Sequence, residues 1–307
     1  MGRGVYSFAF RAFHSFYTRG WLILFVVMLM WAANIIAGRL AVGQISPMTL
    51  VSLRWLIVSA IMAFSQRRTI RADLTRLRSS WVLLILGGAL GFTGFNALFY
   101  VGAHYTSGVN IAIIQGALPV FTMLGALLVF RARFSPLQIA GLVLTLAGVG
   151  IVVTKGDLAS LSTLRFNIGD VDILLACLFY AAYTLALRGR PNVSALGLFA
   201  VMAGVAFATS LPLLAWDVLY GDFFWPTPKG LVILLYVALF PSLISQIFFI
   251  RGVELIGPAR AGLFVNLIPV LGAIMSIVFL GEAFALYHIL ALGLVLAGIC
   301  IAESVGR

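Results

Sequence analysis

Charge is what this sequence has least of. Asp, Glu, Lys and Arg make up 9% of its 307 residues, against roughly 25% in an average soluble domain. Acidic residues are the scarcer sign, nine in all, and none falls deep inside an apolar run. Cysteine is nearly missing too: Cys177 and Cys300 each stand alone in an apolar stretch, which excludes a disulfide framework and a paired-cysteine metal site. No HExxH, no GxSxG and no pair of carboxylates occurs within the apolar runs. The residues an intramembrane enzyme needs are therefore lacking, and neither a metal nor a cofactor is expected. A buried Lys or Arg cluster for phosphate groups, and the charge ring or repeated carbonyl filter of a channel, are absent as well.

What is present is apolar. Hydrophobic residues make up 63% of the chain and the mean hydropathy is +1.13, the signature of a protein dissolved in lipid. The net charge of +11 does not indicate nucleic acid, because its Lys and Arg fall between apolar runs instead of gathering on one soluble face. At about 20 residues per bilayer crossing, ten candidate spans follow: 21–41, 48–65, 81–102, 108–130, 136–154, 170–188, 194–216, 229–251, 258–280 and 285–303. The connections are short, so function must lie among the helices. Residues 1–20 mix Arg3, Arg11 and Arg19 with Phe8, Phe10, Phe13 and Phe16, which suits an interfacial segment on an anionic leaflet; a plain tail is the alternative. The first span is long and has no A-x-A cleavage site, so it is expected to be retained.

Fifteen of the 20 basic residues, from Arg3 to Arg307, fall on the N-terminal side of this alternation. Only Arg39, Lys155, Arg165 and Lys229 fall on the other, and Arg54 is left inside a span. Such a bias places both termini in the cytoplasm. A shift of 150 positions lays Pro119 on Pro269, Phe99 on Phe249, Gly102 on Gly252 and Leu146-Ala147-Gly148 on Leu296-Ala297-Gly298. At 149, Ala32 and Ala33 fall on Ala181 and Ala182, and Arg39 falls on Arg188. The fold expected is an all-α membrane protein of ten helices, as repeats at 21–154 and 170–303 joined by a 155–169 linker. Five spans per repeat is an odd number, so the second repeat enters the membrane from the opposite side, the architecture of alternating access.

WAANIIAGRLA at 31–41, SPMTLVSLRWLI at 46–57, the LPV and IPV prolines and FLGEAF at 279–284 carry a family likeness over the chain from Trp21 onward. The sequence resembles the drug/metabolite transporter superfamily, in its EamA-type branch of ten-helix bacterial exporters. The first half departs from the pattern, reading VFRARF where the second reads FLGEAF, so Glu282 has no acidic counterpart. The resemblance implies export of amino acids or other small metabolites across the bacterial inner membrane, with the aromatic amino-acid exporters most similar in overall pattern.

Polar side chains inside spans mark pathways by default. They are Asn34, Asn96, Gln115, Tyr183, Gln246 and Asn266. The 150 shift lays Asn96 on Gln246, and the 149 shift lays Asn34 on Tyr183. A matched pair of amides suits a site read from both sides; interhelical hydrogen bonding, worth about 0.6 kcal/mol, is the alternative for any one residue. Trp31, Tyr100, Tyr180 and Phe249 stand three or four positions from these polar residues, on shared helix faces, as candidate walls for an apolar or aromatic substrate. Pro119 and Pro269 are candidate hinges, expected to kink their helices near the middle and to free the Gln115 and Val265 carbonyls. Arg54 is expected either to snorkel outward or bind exposed carbonyls, or to meet a substrate carboxylate. Glu282 and Glu254 are expected to be rim or capping groups, and His104 and His288 solvated span ends. With no deep carboxylate, cation/proton antiport is disfavoured. The expected partners are thus lipid and a neutral or zwitterionic solute, an amino acid first. A proton as coupling ion has no evident residue, so facilitated efflux stands beside antiport. A multidrug exporter or a flippase for lipid-linked molecules fits the same architecture, and the oligomeric state is open. GxxxG at Gly87 and Gly91 predicts a close helix contact, within the protein or between copies.

Overall fold

A computed structural model describes residues 17–157, 167–221 and 223–304, without the side chains of Leu74, Ala259, Glu303 and Ser304. Most of the expected interfacial segment, 1–16, and of the linker, 158–166, lies outside the described residues. Every regular element among those residues is helical. Among the described residues nine helices are long and apolar enough to cross a membrane: α1 Gly20–Ala41, α2 Pro47–Ser65, α3 Trp81–Tyr105, α4 Gly108–Phe130, α5 Pro136–Val153, α6 Ile168–Gly189, α7 Ala195–Tyr220, α8 Pro228–Ile256 and α9 Arg260–Leu280. A tenth, α10, Leu286–Ser304, is apolar over the shorter stretch Leu286–Ala302. One further helix, Arg67–Ser79, joins α2 to α3 and is polar. Several spans begin where a polar side chain can take an amide that has no intrahelical partner. Ser107, Ser135, Ser194 and Thr227 do so, and Ser135 forms a reciprocal capping box with Gln138.

The packing repeats the symmetry of the sequence. The main pairings are α1 with α8, α3 with α6, α2 with α7, α4 with α9 and α5 with α10. Exchanging the two halves turns the first pair into the second and returns each of the others to itself, so the halves are built into one another. Small residues make this possible. A Cβ on Gly298 would lie 2.5 Å from the Gly141 carbonyl oxygen, and one on Gly148 would lie 2.7 Å from that of Ala291, so α5 and α10 touch backbone to backbone. The GxxxG glycines are used within the protein: Gly91 meets Tyr183 of α6, and Gly87 meets Met202 of α7 and Tyr183.

Two interruptions shape the centre. In α3 the segment Leu86–Gly94, and in α8 the segment Ala238–Ile244, form wide π turns that end 150 positions apart. In α8 the cause is Pro241, which has no N–H to give the Val237 carbonyl; the Ser242 hydroxyl donates to that carbonyl instead. In α3 the run LGGALGFTG places little side-chain bulk around the wider turn. The second interruption corrects the expected mid-helix kink and freed Gln115 carbonyl at the prolines. α4 is broken by a short 3-10 turn at Gln115–Ala117 and restarts at Leu118; α9 restarts at Leu267 after a turn at Asn266. Pro119 and Pro269 therefore stand in the first turn of a new helix, where a missing N–H costs no hydrogen bond. The Gln115 carbonyl is not freed, because the Leu118 amide donates to it.

Candidate functional site

The broken and widened helices meet around a cavity between the two halves. It is a partly open space, about 690 Å³ when open solvent is counted with it, and is lined from α1, α2, α3, α4, α6, α8 and α9. Of the residues singled out from sequence, Trp31, Asn34, Asn96, Gln115, Tyr180 and Gln246 line it, joined by Arg54. The matched amides Asn96 and Gln246 thus face one space from opposite repeats, each just beyond its π turn. Tyr100, Tyr183, Phe249 and Asn266 do not line it. Tyr100 stands behind the wall, Phe249 backs Trp31 with ring centroids 5.2 Å apart, and Tyr183 packs edge-on against Phe92 at 5.5 Å and Tyr180 at 5.4 Å. Asn266 lines a smaller void beside Gln115, Pro119 and Pro269.

Among the described residues Arg54 is the one cation on the cavity wall. It neither snorkels nor binds carbonyls: it is 4% exposed, and its partners are side-chain oxygens. Its Nε donates to Ser242 Oγ at 2.5 Å, and its Nη1 to Asn96 Oδ1 and Tyr100 Oη, each at 2.6 Å. The Tyr100 hydroxyl in turn donates to Asn34 Oδ1 at 2.8 Å, and Asn96 Nδ2 donates to the Phe92 carbonyl at 2.6 Å. The guanidinium carbon also lies 5.4 Å from the Trp55 ring centroid and 5.8 Å from that of Tyr100, within cation–π range. Across the cavity Trp31 Nε1 donates to Ser245 Oγ at 2.9 Å and to the Pro241 carbonyl at 3.2 Å. That carbonyl belongs to the π turn, so the indole helps satisfy backbone that a regular helix would satisfy itself.

Several lining residues carried a sequence signal that went unused. Phe92, Phe95 and Phe99 recur with Asn96 at helical spacing and line one face of α3, and Trp55 stacks on Phe92 with centroids 4.7 Å apart and planes 4° from parallel. Ser242 could have been found through its neighbour, Pro241. Among the described residues the cavity wall thus offers one cation, four amides, the hydroxyls of Ser242 and Tyr180 and many aromatic faces, with no acidic residue.

The ends of the spans hold further polar groups, away from the cavity. Glu282 is a capping group, as expected: its carboxylate accepts from the Gly108 and Val109 amides at 2.8 and 2.9 Å, and lies 3.6 Å from Arg39 Nε. Arg39 also donates to the Ala103 carbonyl. Glu254, also a rim group, pairs with Arg251 at 3.1 Å. His104 is partly buried, with Nδ1 2.9 Å from the Tyr100 carbonyl. His288 corrects the expectation of a solvated end, being only 4% exposed. Its Nδ1 accepts from the Ala285 amide at 3.0 Å, so Nε2 carries the hydrogen and donates to Asn110 Oδ1 at 3.1 Å. Asn110 and Thr106 both donate to Asp170 Oδ1, at 3.4 and 2.5 Å. The sequence hid this chain because its members come from α3, α4, α6 and α10.

The comparisons agree with this geometry. The model of the EamA-like transporter family matches residues 18–154 and again 167–303, one match for each structural repeat. The protein named "Uncharacterized transporter YyaM" of Bacillus subtilis (strain 168) is 28% identical over 280 residues, covering 88% of both chains. An "Uncharacterized transporter" of Archaeoglobus fulgidus is 24% identical over 267 residues, covering 85% of this chain and 89% of its own. A solved crystal structure shares the fold, with a TM-score of 0.62 at 19% identity over 93% of this chain and 96% of that one. Inverted repeats, a cavity between them and a family match to each half lead to one conclusion: this chain is a multi-pass membrane protein that belongs to the EamA-like transporter family.

Proposed function

We propose that the protein is a secondary transporter that exports small metabolites across a bacterial inner membrane, with both termini in the cytoplasm and the central cavity as its substrate site. The substrate class favoured is a carboxylate on an apolar or aromatic body, amino acids among them. The observation that carries this reading is Arg54, a buried guanidinium on the wall of a cavity shared by both repeats, with aromatic rings around it. Intramembrane charge is costly and marks a pathway by default.

Alternating access is the mechanism that inverted repeats support. The breaks at Gln115–Ala117 and Asn266, and the π turns of α3 and α8, are matched places where the two halves can exchange conformations. Pro119 and Pro269 fix the restart of the helices after the breaks. Among the described residues no carboxylate lines the cavity, so the reading favours facilitated, gradient-driven efflux over proton antiport. Counterflow in proteoliposomes loaded with single carboxylate-bearing metabolites tests it. Exchange above protein-free vesicles, unchanged when a pH gradient is imposed, is the expected result. Absence of exchange for every such solute would overturn the transport reading, and exchange driven by the pH gradient would overturn facilitated efflux.

A further inference from the structure

Charge accounting inside the cavity narrows the substrate further. Among the described residues Arg54 has no counter-ion. Its three hydrogen-bond partners, Ser242, Asn96 and Tyr100, are uncharged; Tyr100 holds its proton, since its hydroxyl donates to Asn34. Among the described residues the ion pairs are Arg39 with Glu282 and Arg251 with Glu254, and neither pair lines the cavity. A cation desolvated to this extent is unfavourable unless something negative joins it.

Three donors at the same wall are also unfilled, the indole Nε1 of Trp55 among them. The hydrogen bonds of Arg54 use Nε and Nη1 only, which leaves Nη2 for a ligand. Gln115, 8% exposed, has its Nε2 buried without a partner. All three residues line the cavity, and donors left unpaired in a dry site are what an oxyanion would satisfy. The cation is also single: at a shift of 149 or 150 the residue answering to Arg54 in the second repeat is Ala203 or Gly204. One positive charge matches one negative charge, not two.

Resting on the reading of this cavity as the transport site, we propose that its substrates are small monoanions, carboxylates with an apolar or aromatic body, in preference to zwitterions and cations. A monocarboxylate brings the cavity to neutrality, and its oxygens can accept from the unfilled donors of this wall. A zwitterionic amino acid brings the same carboxylate together with an ammonium, and the wall has only amide, hydroxyl and backbone oxygens to meet it. The site then keeps a net positive charge and must desolvate a second cation beside the first. A lone amine adds a second positive charge and brings no carboxylate to offset it. The aromatic faces of Trp31, Trp55 and Phe92 accept the body of any of the three, so charge alone decides between them.

The test holds the body constant and changes the charge. Purified protein in lipid vesicles is given 3-phenylpropanoate, L-phenylalanine or phenethylamine at a pH well above the carboxylate range, with protein-free vesicles setting passive leakage. Counterflow of the monoanion at least tenfold faster than that of the zwitterion, with none for the amine, is expected. Arg54→Gln should abolish that preference. A zwitterion or amine that exchanges as fast as the monoanion would overturn the proposal, whatever the variant does. If none of the three exchanges, binding to wild-type protein in detergent, read by isothermal titration calorimetry, separates the two ideas. Saturable binding of the monoanion alone would retain the anion site and sink the transport reading. Absence of monoanion binding would overturn the anion site itself.

Discussion

Replacing Gly91 by alanine tests whether the two repeats are locked together as the structure has them. A Cβ built on Gly91 lies 2.5 Å from both Cβ and Cγ of Tyr183, whereas carbon atoms pack at about 3.5–4.0 Å. Tyr183 Cβ is fixed to the backbone of α6, so no rotamer change relieves the overlap, and α3 and α6 must part by roughly 1 Å. Overpacking of this kind costs about 1–3 kcal/mol. Gly87 is the informative neighbour. Its added Cβ meets Met202 Cε, the far end of a flexible side chain that can swing away. Gly204 is the blank, with nothing within 4 Å, so its substitution registers only the gain of about 0.5–1 kcal/mol for alanine over glycine in a helix. Thermal unfolding in detergent should place Gly91→Ala roughly 5–10 °C below Gly204→Ala, at about 2–4 °C per kcal/mol, with Gly87→Ala close to Gly204→Ala. Since Gly91 also lines the cavity, KM for the transported solute should change with it. Equal melting temperatures for all three variants would refute the α3–α6 packing described here.

Glu282→Ala removes the acceptor for two amides at the start of α4 and the partner of Arg39; a loss of about 1–2 kcal/mol is expected, read as a lower melting temperature. Asn96→Ala and Gln246→Ala should each reduce counterflow several-fold while the protein stays folded by size-exclusion chromatography, and normal rates in both would return these amides to a packing role. Arg131 closes α4 in the left-handed region at φ 51°, where the matching position of α9 is Gly281 at φ 66°. Arg131→Gly should therefore raise stability by about 1 kcal/mol, measured by the same melt. Single cysteines placed on the exposed face of the Arg67–Ser79 helix, in a Cys300→Ala background, should react with an impermeant thiol reagent only from the cytoplasmic side. Labelling from outside would invert the proposed topology.

Length, composition and the alternation of basic residues with apolar runs were enough for the helices and their number, because a bilayer leaves backbone amides few other solutions. The repeat was legible as well: Pro119 and Pro269, and Asn96 and Gln246, are equivalent in the structure because the offset of 150 is carried by the chain itself. Choosing polar residues inside spans found much of the cavity wall, including Asn34, Asn96, Gln115 and Gln246, since an apolar solvent makes each polar group conspicuous. The same rule could not separate Gln115, which faces the cavity, from Tyr183, which packs below it, because both are polar positions in apolar helices and only packing distinguishes them. The fate of Arg54 was decided by three oxygens from α3 and α8, and that of His288 by Asn110 from α4; no local pattern carries such encounters. The prolines were visible, yet a hydrogen-bond ladder can kink around a proline or end and restart before it, and the neighbouring helices select between these. Sequence alone determined what crosses the membrane and how often, because transfer from water to lipid depends on each residue in turn. Tertiary structure alone decided which polar groups meet, since a buried charge is made tolerable by atoms that are distant along the chain.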